Sequence, residues 1–266
     1  MATSIFVYPY RQGSKSAIAL AQGLEGKVIR LENSKFRPTN KKLIVNWGST
    51  VIDNNVFGNG AKVLNPPNLI KRASNKKIFF ELVKAAGEAG PVIPNFTCSK
   101  EEAASWLTGE KPKKLFARTV LAGHSGEGIV KVNTLEELEV IPEGTLIVEY
   151  IPKKREFRFH VSKLGGIFCT QEKLKRKELD NDKVDYQIRN LANGFIFAKQ
   201  NIEVPATCTE AALKALAVTE LDFGAVDVIY NERTDKAYAL EVNSAPGLEG
   251  ATIQEYVDMV NQFAAN

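Results

Sequence analysis

Histidine and cysteine are scarce in this chain of 266 residues, which holds only His124 and His160 of the first and Cys98, Cys169 and Cys208 of the second. A zinc ion bound by four nitrogen and sulfur ligands would consume nearly all of them, and their spacing fits no ligand pair. Three scattered cysteines exclude a disulfide framework and point to a reducing, cytoplasmic setting. No apolar run approaches the roughly 20 residues of a membrane span. The opening MATSIFVYPYRQG lacks the apolar core and small-residue cleavage pattern of a signal peptide. Charge of one sign is also missing: 35 Lys and Arg against 31 Asp and Glu leave a formal charge of +4, too mild to argue for nucleic acid. An enzyme of this composition works through carboxylates, lysines, arginines and backbone amides.

What is present is ample apolar material, 44% of residues, arranged in strand and helix patterns. Residues 5–8, 28–31 and 43–47 read as strands and 14–24 as a helix, so the first block is a parallel sheet covered on both faces. Gly58, Gly60, Asn65, Pro66 and Pro67 form a breaker-rich boundary. A helix is expected over 71–86, stopped by Gly87, then an extended 91–96. Ser99 with Glu102 three residues on is a capping signal for a helix to about 107, and Thr134 caps a shorter one. Strands at 115–120 and 129–132 flank a glycine-rich loop, and 145–150 is another strand, ended by Pro152. Strands at 155–161, 166–171 and 195–198, a helix over 206–221, strands at 224–230 and 237–242, and a helix over 253–263 complete an α+β layout of several lobes.

Two strands carry the clearest chemistry. Residues 224–230 and 237–242 are joined by the turn-like 231–235; paired as a hairpin, they bring Asp227 and Glu241 together on one face, with Asn243 two residues further on the same side. Two carboxylates and an amide oxygen in apolar strands make an all-oxygen set, suited to a hard cation such as Mg²⁺ that shares phosphate oxygens and water. The plain alternative is a pair of satisfied carboxylates at a sheet edge, and buried unpaired charge is costly. In the loop, Gly123, Gly126 and Gly128 let backbone N–H groups approach an anion. It is no Walker A loop, since no Gly-Lys-Ser/Thr ends it and a strand follows where a helix is required. The run Gly13-Ser14-Lys15-Ser16 lacks the upstream glycine and is discounted as nucleotide-binding.

The run from Glu241 through Asn243, Pro246 and Gly247 to Gly250, with Asp227 upstream, resembles the metal-binding end of ATP-grasp ligases, closest to the RimK-like carboxylate–amine branch. The glycine loop, the hinge Val148-Glu149-Tyr150-Ile151 and the helix opening Asn75-Lys76-Lys77 follow in that family's order, so the resemblance covers residues 70 to 260. It implies the ATP-grasp fold: an N-terminal α/β domain over 1–70, a central lobe over 71–148 and a C-terminal lobe over 149–266, with ATP between the last two. It also implies roles. Asp227, Glu241 and Asn243 would hold one or two Mg²⁺, with Mn²⁺ as a substitute. Glu149, Tyr150 and Ile151 would meet the adenine edge, the last two through their backbone. Glu156 would hold the ribose, and Lys76 the phosphates, with Gly123, Ser125, Gly126 and Gly128 in the loop closing over them. Arg158 would face the phosphates or the acyl-phosphate, and Arg189 with Asn190 would complete the phosphate and metal site. Relatives carry a lysine on the strand before the loop; here Arg118 stands there, one residue further away, and would hold phosphate bidentately.

The activity implied is an ATP-dependent ligation: the carboxylate is phosphorylated, an amine attacks the acyl-phosphate, and Arg189 and Arg158 stabilise the charge that develops. Substrates would be small-molecule or peptide acids and amines, with no nucleic acid and no membrane, and a homo-oligomer is left open. The positive excess then reads as phosphate-facing, since Lys76, Arg118, Arg158 and Arg189 belong to it. The alternative is a non-catalytic ATP-binding scaffold on the same fold. A nucleic-acid role for 153–183 is disfavoured, because its ten Lys and Arg are diluted by Glu156, Glu172, Glu178, Asp180 and Asp182. His124 reads as an exposed loop residue and His160 as structural.

Overall fold

The computed structural model describes residues 3–58, 60–122, 127–180 and 184–266. Strands β1 (Ser4–Pro9), β2 (Lys27–Val28), β3 (Lys42–Trp47) and β4 (Lys62–Leu64) form a parallel sheet in the order β2-β1-β3-β4. Leu43 to Trp47 are buried without a break, as expected of a strand covered on both faces. Helix α1 (Lys15–Gly23) starts where the Ser14 hydroxyl accepts from the Ala17 N–H, and the short α2 (Asn54–Phe57) follows β3. The strand expected over 28–31 shortens to β2, although Ile29 stays buried and donates its N–H to the Val7 carbonyl at 2.9 Å.

The helix expected over 71–86 is two helices, α3 (Pro67–Ser74) and α4 (Lys76–Ala86). Asn75 between them is extended, and its side-chain oxygen accepts from the Lys77 and Ile78 N–H groups at 3.0 and 3.2 Å. An asparagine bonded this way starts a helix more readily than it continues one. Lys76 is thereby set on the first turn of α4, its own N–H tied to the Leu121 carbonyl.

The central sheet is antiparallel: β5 (Phe96–Thr97), β6 (Leu115–Arg118), β7 (Ile129–Val132) and β8 (Leu146–Glu149), in the order β5-β8-β6-β7. Helices α5 (Lys100–Thr108) and α6 (Leu135–Glu139) close a small core on Ala103, Leu115, Ala117, Val132, Leu138 and Ile147. Both have the expected caps, Ser99 to the Glu102 N–H at 3.1 Å and Thr134 to the Glu137 N–H at 3.2 Å.

The third sheet has five antiparallel strands, β9 (Arg155–Ser162), β10 (Gly166–Lys175), β11 (Phe195–Ala198), β12 (Phe223–Asn231) and β13 (Lys236–Asn243), in the order β11-β10-β9-β12-β13. Helix α7 (Ala206–Thr219) covers one face together with α3 and α4, around Phe79, Phe157, Phe159, Ala212, Val226 and Val228. The last helix, α8 (Ala251–Ala265), packs on α1 instead, and its Tyr256 meets Trp47 and Phe223 in the core of the parallel sheet. Chain order and packing therefore differ: α3 and α4 precede the central sheet yet cover the five-stranded one, and α8 ends the chain yet closes the core at its start.

Candidate active site

Alternation along β9 divides the five-stranded sheet. Phe157, Phe159 and Val161 face the helices, so Glu156, Arg158 and His160 face the other way. The expected hairpin forms, with Asp227 directly opposite Glu241 and Ala225 opposite Asn243. A bulge follows between Asp227 and Val228, a local kink at the site's edge. On the other side Arg158 is opposite Asp227, so Arg158, Asp227 and Glu241 form one row across three strands.

Each of these carboxylates already has a cationic partner. Arg158 donates from Nε and a terminal nitrogen to the two oxygens of Asp227, at 2.6 and 2.8 Å, a bidentate fork. Lys173 of β10 reaches Asp227 at 3.4 Å and Glu156 at 2.5 Å, and Lys76 of α4 reaches Glu241 at 3.0 Å. Burial opposes the charge on Asp227, but Arg158 and Lys173 outweigh it and hold the carboxyl well below the usual range. Arg158 is pushed up by the same pairing, and Lys173 is raised by Asp227 and Glu156 against the effect of burial. Arg118, at the end of β6, and Lys153 are both lowered by burial.

These groups line a cleft of about 510 Å³ between the central and five-stranded sheets, reached also by Tyr10 and Gly48 of the N-terminal sheet. Six cations (Lys76, Arg118, Lys153, Arg158, Lys173, Arg189) face four acids (Glu149, Glu156, Asp227, Glu241), a positive excess suited to a polyanion. Phe116, Ile129, Val148, Ile151, Ile229 and Leu240 give the cleft its apolar lining. The hinge lines the same cleft. Its Tyr150 N–H is taken by the Lys114 carbonyl at 2.8 Å, so of the two backbone donors expected there, Ile151 is the one without a backbone acceptor among the described residues. The Glu149 carboxylate is held by Asn95 at 2.6 Å and Lys113 at 3.0 Å.

Arg189, expected to stabilise developing charge, lines the cleft and is also bonded to backbone carbonyls. It donates to the carbonyls of Lys154 at 2.8 Å, Lys153 at 3.2 Å and Tyr186 at 3.4 Å, and lies over the Phe195 ring. Lys153 returns the link, donating to the Gln187 carbonyl at 2.9 Å. The pair fastens the chain before β9 to the segment before β11. The Asn190 side-chain oxygen accepts from the Asn193 N–H at 2.8 Å while the residue lines the cleft. Gly128 has a structural reason of its own: at φ +69°, an added Cβ would lie 2.6 Å from the Val120 nitrogen. Gly123, Ser125 and Gly126 lie outside the described residues, as does His124.

Lys153, Lys173 and Phe197 escaped the sequence reading. The two lysines sit in the basic run 153–183, whose pattern suits a solvated strand face or a phosphate-facing site without singling either of them out; the polar alternation of Gln171, Lys173 and Lys175 was the available signal. Phe197 of β11 lies under the Arg158 guanidinium at 4.4 Å and the Lys173 ammonium at 5.4 Å. His160 is structural, as expected. Its Nε2 is 3.2 Å from the Gln171 side-chain oxygen, which only accepts, so Nδ1 accepts from the Tyr256 hydroxyl at 2.9 Å. Burial holds this imidazole neutral, with its pKa lowered to about 4.

Among the described residues no group of three or more His, Cys, Asp or Glu is placed to hold a metal ion. Asp227, Glu241 and Asn243 offer two carboxylates and an amide, and such a set fits a hard divalent cation whose other positions are filled by phosphate oxygens and water. No helix of the described residues is long and apolar enough to cross a membrane.

No family model matches the sequence, and no curated protein matches it either. Solved structures do match. D-alanyl-alanine synthetase A from Vibrio cholerae O1 biovar eltor str. N16961 superposes with a TM-score of 0.68 at 16% identity, over 100% of this chain and 98% of the other. The ATP-grasp ligase PsnB, complexed with minimal precursor, Mg and ADP, gives 0.65 at 11% identity over 98% of each chain. A RimK domain ATP-grasp protein from Sphaerobacter thermophilus DSM 20745 gives 0.62 at 12%, over 99% of this chain and all of that one. The chain has the ATP-grasp fold.

Proposed function

We propose that this protein is an ATP-dependent ligase that activates a carboxylate as an acyl-phosphate and joins it to an amine, releasing ADP and phosphate. The observation that carries this reading is the row Arg158, Asp227 and Glu241 on a buried sheet face, set among six cations in a cleft with an apolar lining. Two of the solved structures it resembles are D-alanyl-alanine synthetase A and the ATP-grasp ligase PsnB, which is consistent with ligation without identifying the substrates.

In this reading the adenine packs on the apolar lining and takes a hydrogen bond from the Ile151 N–H, while Glu156 stands nearest the ribose. Lys76, Arg118 and Lys173 turn toward the triphosphate and offset its charge as the γ-phosphoryl group moves to the carboxylate. Asp227, Glu241 and Asn243 would hold Mg²⁺, which supplies Lewis-acid neutralisation of phosphate charge. Arg158, seated on Asp227 and capped by Phe197, presents its remaining N–H groups to the acyl-phosphate end. Arg189 and Lys153 keep the cleft wall in place, and the glycine-rich hairpin shields the activated acid from water. No side chain acts as a covalent nucleophile.

The test is release of ADP and phosphate over a panel of free amino acids and dipeptides, with Glu241→Gln as control. Turnover that needs both an acid and an amine, lost in the variant, supports the ligase. ATP binding with no release under any pair returns the protein to a nucleotide-binding scaffold.

A further inference from the structure

The net positive charge of the chain as a whole lies in its first 70 residues. The first 70 residues carry nine Lys and Arg against Glu25, Glu32 and Asp53, whereas the rest hold 26 cations and 28 acids. Eight of those nine cations are exposed. A net charge of about +6 on so small a unit, with little of it neutralised, attracts acidic partners over distances near a Debye length.

Topology concentrates part of this charge at one edge. In the order β2-β1-β3-β4 the winding reverses between β1 and β3, and open α/β sheets take ligands beyond the C-terminal ends of the strands at such a point. Tyr10 follows β1 and Gly48 follows β3, and both line the cleft. Gly48, at φ +84°, approaches so closely that an added Cβ would lie 2.6 Å from the Ala245 Cβ, next to Asn243 and the hairpin end. Arg11, Lys15 and Arg30 leave the same edge, all exposed. The Leu31 N–H bonds the Gln12 side chain at 3.4 Å, joining the turn after β1 to the chain after β2, and the Arg11 guanidinium lies 5.3 Å from the Tyr10 ring centre. Among the described residues none of the three cations pairs with a carboxylate; Glu32, two residues past Arg30, is the acid nearest to them in the chain.

We propose that this edge docks an acidic peptide segment of the carboxyl substrate and leads it past Tyr10 and Gly48 into the cleft, a role that rests on the ligase reading and gives it a substrate class. A peptide rather than a nucleic acid is favoured because the basic edge runs directly into a cleft that, in that reading, must receive a carboxylate.

The experiment is fluorescence anisotropy of a labelled decaglutamate peptide with the full-length protein. Two triple variants carry the same charge change: Arg11→Glu/Lys15→Glu/Arg30→Glu at the C-terminal edge, and Lys27→Glu/Lys41→Glu/Lys62→Glu at the N-terminal edge of the same strands. Wild-type protein should bind at about 50 mM salt and weaken steeply as salt rises. The first variant should lose about tenfold or more in affinity and the second about twofold or less, with MgATP affinity unchanged in both. Absence of wild-type binding, equal loss in both variants, or tighter binding of a ten-residue oligonucleotide would overturn the proposal. Those outcomes leave ADP release intact, whereas failure of the ligase reading removes ADP release and leaves peptide binding in place.

Discussion

Arg158 and Asp227 face each other on neighbouring strands and are joined by two parallel hydrogen bonds of 2.6 and 2.8 Å, with little of either side chain open to water. The residue that suits metal binding is therefore also the counter-ion of a buried guanidinium, and Phe197 closes the other side of that guanidinium at 4.4 Å. Such a pair is costly to break from one side, because the remaining charge stays buried.

Substitution at the two acids of the row separates these roles. Glu241 is more open and pairs with Lys76, so Glu241→Gln should keep the unfolding midpoint within a few degrees while reducing Mg²⁺-dependent ADP release by about a hundredfold. Asp227→Ala should cost about 3 kcal/mol in urea unfolding as well, since it strands Arg158. Asp227→Ala/Arg158→Met should be more stable than Asp227→Ala alone. A double variant no more stable than the single would rule out the paired-charge explanation.

Arg189 lines the cleft while donating three hydrogen bonds to backbone carbonyls, the geometry of a group that holds the cleft wall. Arg189→Met removes three hydrogen bonds to carbonyls and should expose residues 184–194 to limited proteolysis. The expected kinetic mark is a rise in KM for ATP of about tenfold with a smaller fall in kcat. A hundredfold loss in kcat at unchanged KM would instead return Arg189 to the chemical step.

His160 makes stability depend on pH. The free imidazole titrates near 6.5 and the buried one near about 4, so the unfolded chain binds the extra proton between those values. The stabilisation is fully present above 6.5, declines as pH falls, and is lost by about 4, roughly 3 kcal/mol in all. Denaturant midpoints for His160→Gln should fall less between these pH values than those of the wild type. Parallel curves would show that other groups set the acid limb.

Gly128 closes the hairpin between β6 and β7 by accepting from the Thr119 N–H at 2.9 Å while keeping a positive φ. Gly128→Ala should cost about 1–3 kcal/mol and weaken ATP binding, because both hairpin strands wall the cleft. Unchanged thermal unfolding would mean that the turn relaxes without cost.

Local signals in the sequence carried the capped helices at Ser99 and Thr134, the paired strands bearing Asp227 and Glu241, and the glycine hairpin. Each depends on residues within a few positions or on period-two alternation, so short-range sterics and hydrogen bonding suffice to specify it. Asn75 shows the limit: its capping bond divides a helix that apolar periodicity alone makes continuous. The partners of the ionic row were decided by tertiary structure. Arg158 meets Asp227 across 69 positions and Lys173 meets it across 54, contacts set by which strands neighbour one another in the sheet. Strand order and register depend on burying one apolar face against α3, α4 and α7, a global packing condition that no window of sequence contains. The same holds for charge. The count of +4 is a property of the sequence, but a cleft of six cations against four acids and a basic edge on the parallel sheet exist only once the chain has folded.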